Sequence, residues 1–301
     1  MTRPAPRSID QYLEQLRDAL KGEDPALVQD ALYDAEEYLR AEVAQHPDKL
    51  EPDVLELIAS TYGAPDEVAE AYRTTEKTVR AALKPHVPPA RASALGRYFG
   101  VFADSRAWMA LFYMLLSIVT GIFYFVVAVT GLSLSVGLAV LVIGIPFFLL
   151  FIGFTRVLSL AEGRIVEGLL GARMPRRPVR NAHDATLGAR IRDMLLDRRT
   201  WTTLLYLVLM LPIGIAYFVI AIVGLSISLG CIAAPFAEIL YSLGVGDAGM
   251  QIDGWHAPWP LTVPLAIFGV LLLTTLLHAV RAIGSAHGAL ARALLLSRDG
   301  E

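Results

Sequence analysis

The sequence predicts an all-α protein: an N-terminal soluble helical bundle, then a four-helix transmembrane region built from two tandem helical hairpin repeats. Three observations predict this. Of 301 residues, 55% are hydrophobic and only 18% charged, with a mean hydropathy of +0.51, a shift from soluble composition toward membrane. Lys and Arg are absent from Ala107 to Thr155 and again from Thr200 to Val280, and each gap is long enough for two spans of ~20 residues. The stretch "YFVVAVTGLSLSVG" from Tyr124 returns as "YFVIAIVGLSISLG" from Tyr217, 93 residues later. A repeat of that size sets the architecture before any single residue is weighed.

The front end reads as helices in series. "SIDQYLEQLRDAL" places Ile9, Leu13, Leu16 and Leu20 on one stripe, with Ser8 or Asp10 as N-cap. "EDPALVQDALYDAEEYLRAEV" follows, capped by Asp24 with Pro25 at the first helical position, its stripe carried by Val28, Leu32, Leu39 and Val43. "EPDVLELIASTY" stops at Gly63, and Pro65 cannot continue it. Asp66 opens "DEVAEAYRTTEKTVRAAL". Residues 1–85 hold 18 acidic and 10 basic residues, a net charge of −8. A basic footprint for DNA is missing, so direct nucleic-acid binding is not expected. Glu36-Glu37 and the Glu42/His46 spacing fit a solvated helix face better than a metal site.

The run "YLEQLRDAL…DALYDAEEYLRAEV…LIASTYGAPDEVAEAY" resembles the HAAS-type helical signalling domain of bacteria over about the first 80 residues. Its most specific pieces are "YDAEEYL" and "YGAPDEVAEAY", the latter containing the turn residues Tyr62, Gly63 and Pro65. That family commonly precedes membrane helices or sits beside PadR-like repressors. The resemblance implies contact with a protein partner, such as a PadR-like regulator or another signalling protein, rather than chemistry. The domain boundaries read as 1–83 for this acidic cytoplasmic unit and 84–97 for a linker, whose "KPHVPPARAS" breaks helix and stiffens the chain. Membrane repeat 1 follows over 98–175, an Arg-rich connector over 176–200, and membrane repeat 2 over 201–296.

At the 93-residue offset Asp104 meets Asp197, Trp108 meets Trp201, Tyr113 meets Tyr206, and Gly121 meets Gly214. Gly131, Ser133, Ser135 and Gly137 meet Gly224, Ser226, Ser228 and Gly230. Further on the offset is 125, where "RVLSLAEGRIVEGLLG" from Arg156 matches "RAIGSAHGALARALLL" from Arg281, so the second copy carries 32 extra residues. Each copy starts at an interfacial Trp and runs about 23 apolar residues to a Gly-Leu-Ser turn. The eight Gly and Ser residues let hairpin helices approach, and the hydroxyls satisfy nearby backbone groups. A nucleophile reading of "GLSLSVG" lacks the Gly-x-Ser-x-Gly pattern and a partnered His-Asp pair.

The connector from Arg156 to Arg199 has ten arginines and five acids, and the other flanking arginines fall on the same side. The positive-inside rule then gives four spans in the bacterial cytoplasmic (inner) membrane, both termini cytoplasmic, with 226–244 re-entrant or interfacial. The two arginine-headed returns read as amphipathic segments, arginine on the polar side, lying on the inner leaflet as extensions of the second and fourth spans. His278 and His287 read as helix-packing or interfacial histidines. No cleavable signal peptide opens the chain, and the single Cys231 excludes an internal disulfide or Cys-based zinc site.

The repeated region, with "IGIPFF", the arginine-rich return and "APF", resembles the four-span sensor region in front of certain bacterial histidine kinases. No phosphoacceptor helix, nucleotide lid or phosphate-binding loop accompanies it here. The resemblance implies a non-enzymatic signalling protein acting through another protein. Within the outer insertion at about 231–260, Glu238, Asp247, Asp253, Trp255, His256 and Trp259 are the ligand or sensing candidates. Trp255 and Trp259 equally suit headgroup anchoring. Glu238 is the most informative, since a carboxylate in an apolar run needs a partner or a role. No metal or cofactor is expected, the bilayer and a cytoplasmic protein are the expected partners, and homo-oligomerisation is compatible. The competing reading is a small transporter or permease subunit made of tandem hairpins.

Overall fold

The computed structural model describes residues 5–82, 93–138, 144–175, 177, 196–244, 251–252, 255–256 and 259–296. Helix α1 (Ile9–Ala19) opens at Ser8, whose hydroxyl accepts from the Gln11 N–H at 3.2 Å. Helix α2 (Pro25–Gln45) opens at Asp24, which accepts from the Ala26 N–H at 3.0 Å. Helix α3 (Glu51–Thr61) and α4 (Pro65–Ala82) complete the front domain. Its core gathers Ile9, Leu13, Leu16, Leu20, Leu32 and Leu39 of the expected stripes, together with Leu55 and Ile58 of α3, around a fully buried Tyr12. The Tyr12 hydroxyl donates to the Gly63 carbonyl at 2.8 Å, and burial raises this phenol above its ordinary value, which keeps the proton on the donor. Gly63 has φ +110°, in the left-handed region that side chains resist. The hinge between α3 and α4 is therefore fixed by a glycine and tied to α1.

Beyond 92, α5 (Ala94–Phe99) and a short 3₁₀ turn (Gly100–Ala103) lead into α6 (Ser105–Leu138). The last residues of the expected 84–97 linker are thus helical, capped by the Ser93 hydroxyl on the Gly96 N–H. Helix α7 (Gly144–Leu170), α8 (Arg198–Ser242) and α9 (Trp259–Leu295) follow. A two-residue ladder between α8 and α9 pairs β1 (Gln251–Ile252) with β2 (Trp255–His256) antiparallel. Three helices are long and apolar enough to cross a membrane: Ser105–Leu138, Arg198–Ser242 and Pro260–Leu295. The C-terminal half of α7 carries Arg156, Glu162, Arg164 and Glu167. Helix α6 packs against α8 and α7, and α9 against α8 and α6. Outward faces are apolar, with Phe112, Val119, Ile122, Val219 and Ile267 all exposed, as a surface that meets lipid must be.

Two expectations are corrected. The chain does not turn at Gly-Leu-Ser: α6 runs on to Leu138, and α8 runs unbroken for 45 residues to Ser242, so 226–244 is neither re-entrant nor a loop up to that point. Ser135 and Ser228 donate to the carbonyls of Gly131 and Gly224, four residues back, at 2.6 Å each. The hydroxyls satisfy the helix rather than a turn. Pro212 and Pro235 stay inside α8, which neighbouring helices tolerate in membrane proteins. The two arginine-headed returns are extensions of the helices before them. They continue α7 and α9, and Leu158, Val166, Ala291 and Leu295 are buried in the helical core. Ser159, Glu162 and His287 of these segments are buried, whereas Arg164, Arg281 and Ser285 stay exposed.

Candidate functional site

Where α6, α7, α8 and α9 meet, six side chains form a polar cluster inside an otherwise apolar core. Glu162 of α7 is fully buried, and His287 of α9, Tyr113 of α6 and Tyr206 of α8 are each 1% exposed. Tyr113 and Tyr206 donate to Glu162 Oε1 at 2.7 and 2.9 Å, and Tyr124 donates to Oε2 at 2.9 Å. The same two phenol oxygens lie 2.6 and 3.1 Å from His287 Nε2. On the far side of the ring, the Tyr217 oxygen lies 3.3 Å from Nδ1. Every hydrogen-bonding atom of the carboxylate and the imidazole is engaged, which is what allows both to be buried. Tyr113 and Tyr206 each have one proton and two acceptors. The network therefore has more than one way to distribute its hydrogen bonds among the four helices.

The cluster recurs on the sequence spacing. Tyr206 follows Tyr113 by 93 residues, Tyr217 follows Tyr124 by 93, and His287 follows Glu162 by 125. Other contacts keep the same spacings. Asp104 pairs with Arg281 at 3.0 Å and Asp197 with Arg156 at 3.8 Å. A Cβ on Gly121 would lie 2.5 Å from the Met210 carbonyl, and one on Gly214 would collide with the Ser117 carbonyl. The α6–α8 crossing is thus a backbone-to-backbone contact that only glycine permits on both sides.

Glu162 was absent from the sequence candidates. An acid between Arg156 and Arg164 looks like the polar face of a surface helix, and its partners lie 38 to 49 residues away or more. The usable signal was the repeat: it set Glu162 opposite His287 and Tyr113 opposite Tyr206. Of the residues that were singled out, Glu238 is half-buried near the end of α8, and its Oε2 has no hydrogen-bond partner among the described residues. Asp247 and Asp253 lie outside the described residues, and Trp255, His256 and Trp259 are described by backbone alone. No group of three or more metal-ligating side chains occurs among the described residues. Gly131 and Gly224 meet Phe151 and Leu276, and Ser135 and Ser228 are buried. Ser133, Gly137, Ser226 and Gly230 face outward, and nothing lies within 4 Å of a Cβ on Gly137 or Gly230. Tyr62 stacks on Tyr38 with ring centroids 4.4 Å apart, and Pro65 begins α4.

A family model described as "Putative sensor" matches residues 113–295, a range that contains all six members of the cluster. The chain belongs to this sensor family. No curated protein and no solved structure is a match. Three apolar helices of spanning length and the family together mark the sensor as a membrane protein.

The sensor's front domain is held to the helical region by charge. Arg173, three residues past α7, bonds Asp30 at 3.0 Å, Glu76 at 3.3 Å and Glu167 at 3.3 Å, with only 13% of its side chain exposed. Arg177 bonds Asp34 at 2.7 Å, and its N–H donates to Asp30 at 2.8 Å. Arg292 of α9 reaches Asp24 at 3.0 Å, and Arg199 of α8 reaches Gln29 at 3.3 Å. Four of the front end's acids, Asp24, Asp30, Asp34 and Glu76, are engaged in this seam. Arg173, shielded and bonded to three carboxylates, holds geometry far better than an isolated surface pair. Arg177 and Arg292 are more exposed and add less.

Proposed function

We propose that the chain is a non-enzymatic sensor of the bacterial inner membrane that passes an envelope or membrane stimulus to a cytoplasmic protein through its HAAS-like front domain. In this reading the membrane region has four spans with both termini cytoplasmic, and is two hairpin repeats related by an approximate two-fold. Contacts that recur at the 93- and 125-residue spacings support the repeat, including the reciprocal Gly121–Met210 and Gly214–Ser117 crossings. A repeat that places a carboxylate on one side and an imidazole at the matching position on the other is poised between alternative hydrogen-bond arrangements. Sensing needs such a two-state element.

The observation that carries the reading is the continuity of α7. Glu162 anchors the tyrosine cluster, and eight residues further on, about 12 Å along the axis, the helix ends beside Arg173, which grips Asp30 and Glu76. A shift of α7 relative to its neighbours is a shift of the front domain's anchor. The test is the transcript response of cells under envelope stress, carrying the wild-type chain or Glu162→Gln at matched membrane abundance. The reading expects an altered response and fails if the two responses coincide.

The transporter reading gains one observation: Glu162 and His287 are ionisable groups within the helical core, where such groups often mark proton pathways. Their closed network, with Glu162 at 0% exposure, favours a joint over a pathway.

A further inference from the structure

A half-open groove of about 400 Å³ lies between the first turns of α6, the end of α7 and residues 278–285 of α9. Arg106, His278, Arg281 and Ser285 supply its polar rim, and Ala110, Leu170, Ala282 and Gly284 its apolar wall. Two of these groups are already engaged. Arg281 bonds Asp104 at 3.0 Å, and a His278 ring nitrogen lies 3.0 Å from the Tyr98 carbonyl. Arg106 is different. Its backbone N–H donates to Asp104, but among the described residues its guanidinium has no hydrogen-bond or ion-pair partner.

The matching place in the other half of the molecule is closed. The residue 93 positions after Arg106 is Arg199, which is bonded to Gln29 of the front domain. The counterparts of Ala110 and Gly284 are Thr203 and Ser159, both buried. One half of the molecule thus spends this cation on the front domain and fills the space with hydroxyl side chains. The other leaves the cation beside small residues, without a side-chain partner among the described residues.

We propose that this groove is a binding site for the headgroup of an anionic phospholipid of the inner leaflet, its phosphate held by Arg106 and Arg281. Basic pockets between helices at the cytoplasmic side take such headgroups, and arginine matches phosphate with its planar fork. With Asp104 and the two arginines the rim carries one net positive charge, which one phosphodiester neutralises. A lipid rather than free phosphate is the occupant because the wall below the rim is apolar. That wall is formed by Ala110, Leu170, Ala282 and Gly284, which suits an acyl chain rather than a free ion. The occupant would also touch Leu170, three residues before Arg173, but the site does not depend on any signalling role.

The test is native mass spectrometry of the full chain released from membranes containing equal phosphatidylglycerol and phosphatidylcholine. Wild type should retain phosphatidylglycerol about fivefold over phosphatidylcholine, the order expected of one near-surface charge contact. Arg106→Ala should erase that preference. So should Ala282→Phe, which fills the groove without removing charge. Arg97→Ala, which removes an exposed arginine from α5 outside the groove, should keep it. Equal retention of both lipids by wild type overturns the proposal, as does an unchanged preference in Arg106→Ala or an equal loss in Arg97→Ala. A delipidated chain that binds inorganic phosphate through Arg106 yet shows no preference between the lipids overturns the lipid assignment.

Discussion

At Glu162, three phenol hydroxyls converge on one carboxylate that has no access to solvent. Removing the acceptor is therefore worse than removing one donor. Glu162→Ala opens a cavity and leaves three buried hydroxyls with only His287 to accept from them, each stranded hydroxyl costing about 1–3 kcal/mol. Tyr124→Phe leaves one carboxylate oxygen without its donor, a single loss of about 1–3 kcal/mol. Thermal unfolding of the detergent-solubilised chain should show a clearly larger loss for Glu162→Ala. The double variant should lose less than the two single losses added together, because Tyr124 no longer needs the carboxylate. Equal losses for the two single variants would mean that the cluster is not a shared network. In the front domain, Gly63→Val forces a β-branched residue to φ +110° against Val68, 3.3 Å from the new Cβ. It should destabilise the front domain by about 1–3 kcal/mol, read as earlier proteolysis of residues 5–82, while leaving the membrane helices intact.

At the scale of elements, helix type and order were legible from periodicity and caps. Ser8 and Asp24 were readable as N-caps because an Asp or Ser before an apolar stripe has few other uses. Helix ends inside the apolar region were not. "GLSLSVG" looks like a turn by composition, but Ser135 and Ser228 satisfy carbonyls of their own helices, and a continuous helix leaves no backbone group orphaned in lipid. At ~1.5 Å per residue, the 34 residues of α6 make a helix of about 51 Å, longer than the ~30 Å hydrocarbon core. The sequence placed hairpin packing at Gly131, Gly137, Gly224 and Gly230, yet Gly137 and Gly230 have nothing within 4 Å of an added Cβ. Gly121 and Gly214 bring the backbones of α6 and α8 together, and Gly269 does the same for α9 against Ser228 and Ile232 of α8. Gly214→Val should wedge α6 from α8, and the chain should lose ordered extraction and thermal stability. Gly230→Val, with nothing within 4 Å, should behave as wild type. If Gly230→Val is the more damaging of the two, the crossing is misassigned.

At the scale of the molecule, charge placement was the most reliable part of the sequence. The arginine-rich connectors and the acidic front domain lie on one side, and the structure brings them together as Arg173–Asp30, Arg177–Asp34 and Arg292–Asp24. That they meet each other, rather than water or lipid, could not be read from composition, because each pairing spans more than 140 residues. The site was hidden for the same reason: Glu162 finds its partners through the fold, and only the repeat hinted at them. The four-span reading puts this seam in the cytoplasm. In intact cells, with Cys231 replaced by Ser, a cysteine at Leu243 should react with an impermeant thiol reagent, and one at Arg177 should not. Labelling at Arg177 would reverse the orientation.

The central claim is that the Glu162–His287 cluster sets the position of the front domain through α7. It is tested by the distance distribution between spin labels at Lys49, exposed on the front domain, and Ala289, exposed on α9, in the Cys231→Ser chain reconstituted in nanodiscs. The wild-type distribution should be narrow. Arg173→Ala should broaden it by releasing the seam. Glu162→Gln, which leaves every residue of the seam in place, should shift or broaden it as well. A Glu162→Gln distribution that overlays the wild type while Arg173→Ala broadens would show that the cluster and the front domain are not coupled.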